Sequence, residues 1–93
     1  MVTGRRNPNS VIKYGNPNGM WAHPDYDEVR FDVRRAKEII RCRVTFEFVA
    51  DRYGSGKHLH LARRHFDQIA DEVGRLIAAG VREPDGSVLL KGR

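Results

Sequence analysis

Residues 27–53 read DEVRFDVRRAKEIIRCRVTFEFVADRY, and this stretch decides the fold. Apolar residues at positions 29, 31 and 33 alternate with polar ones, and the alternation resumes at 40, 42 and 44 after a short polar interval. Side chains of a strand point alternately to opposite faces, so each run predicts a strand with one apolar face. Two such runs joined by a few polar residues predict a β-hairpin, whose apolar face other elements have to cover.

The polar face of this hairpin is rich in arginine. From residue 29 to residue 44, six basic residues stand against two acidic ones; they are Arg30, Arg34, Arg35, Lys37, Arg41 and Arg43 against Asp32 and Glu38. Like charges repel one another across neighbouring strands, so an anionic partner is one explanation of the cluster. The other is a solvated face, whose arginine stems cover apolar surface and whose charges keep sheets from aggregating.

Two helices are predicted after the hairpin. Thr45 is a suitable N-cap for a short amphipathic helix over residues 46–53, which Gly54 ends. A longer helix is predicted over residues 57–79, with Gly80 at its end. Its apolar stripe comprises Leu61, Ala62, Phe66, Ile69, Val73, Leu76 and Ile77. Residues 81–90 then read as strand, turn and strand.

This order of elements predicts an α+β fold. We expect an antiparallel sheet of about four strands (β-β-α-α-β-β), with one short and one long helix packed on one face and the arginines on the other. Residues 1–20 read as a basic tail rich in Asn, Pro and Gly, and residues 21–93 as a single α+β domain. Residues 11–14 could add a short edge strand, and Trp21 is expected to cap the core.

Composition excludes several classes of protein. The 93 residues suffice for one small domain, and no apolar run approaches the ~18 residues of a membrane span. The first ten residues are not those of a secretory signal. A single cysteine cannot form an internal disulfide, so we predict a cytoplasmic protein.

The loop Gly54-Ser55-Gly56-Lys57 invites comparison with a nucleotide-binding phosphate loop. That motif needs glycine where Asp51 stands and serine or threonine where His58 stands, so nucleotide hydrolysis is excluded. Lys57 and His58 still crowd the positive end of a predicted helix, where an anion could bind. The alternative is an ordinary solvated start of the helix.

Neither a metal site nor a catalytic site is predicted. His58 and His60 diverge on a helix, His58 and His65 lie ~10 Å apart along its axis, and Cys42 has no companion cysteine. The alternation places Cys42 on the buried face, where a thiol is inert. Known nucleophile and dinucleotide motifs are missing, so an enzyme is disfavoured and no catalytic residue or cofactor is assigned.

The chain resembles a small bacterial family known only as domain of unknown function, family fourteen-eighty-eight. The resemblance covers about residues 26–90 and rests on four motifs: Val29-Arg30-Phe31, Ile40-Arg41-Cys42-Arg43-Val44-Thr45, Arg64-His65-Phe66-Asp67-Gln68-Ile69-Ala70 and Asp85-Gly86-Ser87-Val88-Leu89-Leu90. It implies an α+β fold and no particular activity. The hairpin is more basic here than is typical of that family.

Two functions remain open. The first is a small non-enzymatic module for protein interaction or structure, with self-association possible. The second is salt-sensitive, sequence-neutral binding of nucleic acid through Arg30, Arg34, Arg35, Arg41 and Arg43. Base stacking has little support in the sequence, because no aromatic residue is predicted on the arginine face.

Overall fold

The structure is a computed structural model and describes residues 12–13 and 17–92. Its strands are β1 (Ile12–Lys13), β2 (Trp21–His23), β3 (Glu28–Arg35), β4 (Glu38–Thr45) and β5 (Val88–Leu90). Its helices are α1 (Phe46–Tyr53), α2 (His58–Arg64) and α3 (Phe66–Ala78), preceded by a short 3-10 helix at Pro17–Gly19.

The five strands form one sheet in the order β1-β3-β4-β5, and β2 also pairs with β3. The predicted α+β fold is confirmed, with the helices packed on the sheet. The sheet is mixed, however, because β5 runs parallel to β4 while the other pairs are antiparallel. After β4 the chain passes through three helices before β5 begins, and a crossover of this kind is what a parallel pair requires.

The central hairpin has the predicted side-chain phase. On β3, Val29, Phe31 and Val33 are at most 3% exposed, and on β4 Ile40, Cys42 and Val44 are at most 1% exposed. Residues 36–37 form the turn, in which Ala36 has a φ of 55°. A two-residue hairpin turn needs this left-handed backbone to match the twist of the strands.

The first helix has the bounds that the sequence predicts. The hydroxyl of Thr45 accepts a hydrogen bond from the N–H of Phe48 at 3.0 Å, which caps the start of α1. At the other end Gly54 has a φ of 91°, a backbone conformation that suits glycine best. The buried side of α1, with Phe48 and Val49, faces the core.

The single long helix predicted over residues 57–79 is wrong. The chain bends at His65 (φ −107°, ψ 26°), which ends α2 and precedes α3. The imidazole of His65 stacks on the ring of Tyr53 with centroids 4.0 Å apart. Because α2 packs near β2 and β3 while α3 packs near β5, one straight rod could not cover both parts of the sheet.

The end of α3 is the predicted one. Gly80 has a φ of 75°, and the N–H of Val81 donates to the carbonyl of Leu76 at 2.9 Å. This bond and that of the Gly80 N–H to Ile77 close the helix in a Schellman motif. The strand predicted at residues 81–82 is not formed.

Part of the segment before Trp21 takes part in the fold. Ile12 and Lys13 pair with Arg35 and Arg34, and Met20 is only 1% exposed in the core. The remaining residues of the predicted tail, apart from 17–20, lie outside the described residues. Its division from the domain therefore stays a prediction.

Candidate functional site

We call the side of the sheet opposite the helices the outer face. Four of the five predicted arginines lie there: Arg30, Arg34, Arg41 and Arg43. Antiparallel pairing sets Arg30 opposite Arg43, Asp32 opposite Arg41, and Arg34 opposite Ile39. Paired residues of neighbouring strands share a face, so these six side chains form one surface.

The other predicted contact residues lie elsewhere. Arg35 follows Arg34 directly, so its side chain leaves the strand on the opposite side and is half-buried beside the hairpin turn. Lys57 and His58 belong to the helical layer at the start of α2. The ring of His58 stacks on that of Phe46 with centroids 4.3 Å apart, so it packs against α1 rather than beside the arginines.

A buried carboxylate joins two of the outer-face arginines. Glu28 is 5% exposed, and its Oε1 accepts hydrogen bonds from the Nε of Arg30 and the Nε of Arg43, both at 3.1 Å. The Nη2 of Arg43 reaches its other oxygen at 2.9 Å, and the Nη2 of Arg30 lies 3.0 Å from Oε1. We call these three side chains the Glu28 network. Charge-assisted bonds to a carboxylate are among the strongest in proteins.

The Glu28 network explains how neighbouring arginines can share the outer face without an external partner. Burial opposes ionisation of Glu28, but the hydrogen bonds and charges of Arg43 and Arg30 outweigh it and hold the pKa of this carboxyl below its usual value. Repulsion between Arg30 and Arg43 is thus offset without an external anion. The sequence held a signal for this, because Glu28 lies in the same strand phase as Arg30.

The Glu28 network extends towards β5 through Ser87. The Nη1 of Arg43 donates to the Oγ of Ser87 at 3.4 Å, and that hydroxyl donates to Asp85 at 2.7 Å. The hydroxyl and the N–H of Ser87 hold the pKa of the Asp85 carboxyl below its usual value. A second carboxylate therefore lies at the β5 side of the outer face.

Aromatic side chains lie on the outer face, contrary to the prediction. Trp21 on β2 pairs with Arg30, and its ring is 5.3 Å from that of His23, which is 4.6 Å from that of Tyr26. The guanidinium of Arg30 lies over the Tyr26 ring at 5.1 Å, a cation–π contact. We call Trp21, His23 and Tyr26 the aromatic cluster. Trp21 is 47% exposed, so the expectation that it caps the core is wrong.

The rest of the outer face is open to solvent. Arg34 and Arg41 are exposed, and within the described residues they form no ion pair. Ile39 pairs with Arg34, lies two residues before Arg41 on β4 and is 61% exposed. A shallow cavity of about 300 Å³ next to it is also lined by Asp32 and Asp85, so this part of the surface presents both signs of charge.

Cys42 lies on the covered side of the sheet. Burial raises the pKa of its thiol to about 12, and the nearby charge of Asp32 acts in the same direction. The Sγ donates to the carbonyl of Ile40 at 3.6 Å. A protonated thiol without access to solvent is a poor nucleophile.

We therefore expect Cys42 to be unreactive in the folded protein. A chromogenic disulfide reagent added at about pH 8 should label less than about one tenth of the thiol while the protein is native, and all of it in denaturant. Absorbance of the released thiolate measures this. Complete labelling of native protein within minutes would contradict the burial of Cys42.

Among residues 12–13 and 17–92, no group of three His, Cys, Asp or Glu side chains is arranged to hold a metal ion. No helix in that same part of the chain has the length and apolar character of a membrane span. The outer face is thus the feature that offers most chemistry.

A solved structure closely matches this architecture. It is the crystal structure, at 1.60 Å resolution, of a protein of unknown function of the DUF1488 family from Shewanella loihica PV-4. The two superpose with a TM-score of 0.81 over 95% of this chain and 98% of the other, at 12% sequence identity. The two proteins share one fold. This is the family that the sequence motifs resemble.

The match to the DUF1488 structure extends over nearly the whole chain but carries no activity with it, since that protein is itself of unknown function. No protein-family model matches this sequence, and no curated protein is significantly similar to it. These comparisons therefore show the fold of the chain and no function.

Proposed function

We propose that this protein is a non-enzymatic interaction module that binds another protein surface through the outer face of its sheet. The observation that carries the proposal is the position of exposed apolar side chains. Four large ones are exposed among the described residues, and three of them, Trp21, Tyr26 and Ile39, lie on or beside the outer face. Single exposed apolar residues are common, but a group on one face is typical of a contact surface.

The composition of the outer face supports a protein partner. Trp, Tyr and Arg are the residue types most enriched where proteins bind one another. Arg30 is already held in place by Glu28 and Tyr26, so little side-chain entropy would be lost when it is covered. Trp21 beside it adds a large and only partly covered ring.

Nucleic acid is the second candidate, and the aromatic cluster favours it. Exposed Trp21 and Tyr26 could stack on bases while Arg34 and Arg41 contact phosphates. Three carboxylates interleave with the four outer-face arginines, however; they are Glu28, Asp32 and Asp85. A phosphate backbone would be repelled by the exposed carboxylates, whereas a protein surface of mixed charge would not.

The proposal is tested by photo-crosslinking in the source cells. A photoreactive phenylalanine analogue replaces Ile39 on the outer face or, as the control, Asp67 in the first turn of α3. We expect a discrete protein adduct from position 39 and none from position 67. Trp21→Ala in the same chain should reduce the adduct at least about fivefold, because it removes the large ring of the contact surface.

The alternative outcomes are distinct. An adduct that a nuclease removes, and that weakens sharply between ~50 and 200 mM salt, would support nucleic acid in place of a protein partner. Equal adducts from positions 39 and 67, or none from either, would refute the outer face as a contact surface. A cytoplasmic location is part of the proposal, because the lone Cys42 remains a free thiol.

A further inference from the structure

The charges on the outer face of one copy are complementary to those on the outer face of a second copy turned by 180°. Asp32 on β3 and Arg41 on β4 are directly paired in register, so they stand at one level of the sheet in adjacent columns. Both are exposed, and neither forms an ion pair among the described residues. A two-fold axis that runs along the strands, between β3 and β4, exchanges these columns. It places each charge opposite its complement on a second copy.

The same axis matches the apolar side chains. Trp21, Arg30, Arg43 and Leu89 share one level across the sheet, so the exchange sets Trp21 of one copy opposite Leu89 of the other. Arg34 and Ile39 form the next outward-facing pair beyond Asp32. The axis sets Ile39 of one copy opposite the long apolar stem of Arg34 of the other. Apolar groups thus lie opposite apolar groups at both sides of the two central ion pairs.

At one level the two copies set arginines opposite each other, and the Glu28 network reduces the repulsion between them. The axis sets Arg30 of one copy opposite Arg43 of the other. In each copy the buried carboxylate of Glu28 already binds Arg30 and Arg43 of that copy, so one negative charge offsets half of the two positive charges that the copy brings to this level. Planar guanidinium groups can also stack on one another more readily than ammonium groups.

The area of the outer face shows which class of contact it could make. Eight residues each on β3 and β4 and three each on β2 and β5, at ~3.4 Å per residue and ~4.8 Å between strands, give roughly 360 Å² of flat area per copy. Two copies bury about 700 Å² of flat area, which is below the ~1,200 Å² of stable specific interfaces and in the range of weak, transient contacts. A contact of this size is weak and reversible, so we expect dimers only at high protein concentration.

We infer that the partner of the outer face is a second copy of this chain, packed face to face about that two-fold axis. The inference rests on the proposed function, because it names the occupant of the same surface. Sheets packed in this way keep their strand directions within about 30° of each other, as in a β-sandwich. The interface is isologous, so one substitution alters both of its ion pairs.

Sedimentation velocity from about 1 to 300 μM tests the inference. We expect wild-type protein to change from monomer to dimer across this range. Asp32→Arg and Arg41→Asp should each raise the dissociation constant roughly a hundredfold, because each sets like charges opposite one another twice. The double variant, with both changes, should restore the dimer. Asp67→Arg, an acid-to-arginine change on α3, is the matched control and should dimerise like wild type.

Each other outcome overturns the inference. A wild-type protein that stays monomeric at the highest concentration has no such interface. A double variant that remains monomeric excludes this axis, and loss of the dimer in Asp67→Arg shows a non-specific charge effect. Crosslinking from Ile39 to a different protein, with a monomer in sedimentation, would leave the proposed function standing while refuting the second copy as its partner.

Discussion

Replacing Glu28 by glutamine is expected to lower the free energy of unfolding by about 3 kcal/mol, or roughly 15 °C in Tm. The amide keeps the shape of the side chain but removes the charge, so two guanidinium groups lose the carboxylate between them. Their side chains are only 15% and 23% exposed, and solvent replaces little of the lost interaction. Because they are not wholly buried, the expected loss lies at the lower end for a broken buried pair.

Urea unfolding of the two proteins measures the difference. Glu38→Gln is the matched control, because Glu38 also pairs with an arginine, Arg82, but its side chain is 53% exposed. We expect little change there, since exposed ion pairs contribute little to stability. Equal effects of the two substitutions would contradict a structural role for the Glu28 network.

The Glu28 network also gives stability a pH dependence of definite sign. Its arginines hold the folded-state pKa of Glu28 below the ordinary value of 4.5, so its contribution is fully present above that pH. The contribution is lost as the pH falls from 4.5 through the lower folded-state value. Glu28→Gln lacks this part of the acid sensitivity, and the two stability curves should converge in acid.

Replacing Phe66 by alanine is expected to cost about 4 kcal/mol. Phe66 is the first residue of α3 and is 6% exposed, with its ring at 65° to that of Phe31 and 5.5 Å from it. The substitution leaves a cavity where α3 meets β3 and removes an edge-to-face aromatic contact. A loss of this size is a large part of the stability of a domain this small.

Thermal and urea unfolding check this expectation against Tyr26→Ala. Tyr26 is an aromatic residue of similar size but is 61% exposed, and its ring contacts the guanidinium of Arg30 and the ring of His23. Its removal should cost at most about 1 kcal/mol. A loss below about 1 kcal/mol for Phe66→Ala would mean that the start of α3 is not part of the core.

The hairpin could be predicted from the sequence because its signal is local. Alternation of apolar and polar residues determines which side each side chain takes, and Cys42 and the outer-face arginines lie where it places them. The caps at Thr45, Gly54 and Gly80 are local signals too, since each depends on one side chain or one backbone angle.

The features that the sequence did not predict depend on distant parts of the chain. No residue type marks the bend at His65, which follows from the need to cover two regions of the sheet. The direction of β5 is likewise not encoded in Val88–Leu90, since it depends on where α3 delivers the chain. Trp21 lies on the outer face because Trp21–His23 form β2, which pairs with β3. At three residues, β2 is too short to show a periodic pattern in the sequence.

Only part of the candidate site could be predicted from the sequence, for the same reason. Alternation places four arginines on one face. Glu28 offsets the charge of only two of them, Arg30 and Arg43, and Arg43 lies fifteen residues from Glu28 along the chain. Proximity of Asp85 and Ser87 to Arg43 depends on the return of the chain after α3. Sequence patterns alone cannot bring such segments together.

The parallel pairing of β5 with β4 has a consequence for synthesis on the ribosome. The hairpin and α1 can form early, because their contacts are close along the chain. The backbone edge of β4 beside Cys42 and Val44 stays unpaired until residues 88–90 have been made. The edge of β4 therefore stays open while residues 46–87 are added, and an unpaired strand edge of this kind can pair with other chains before the fold is complete.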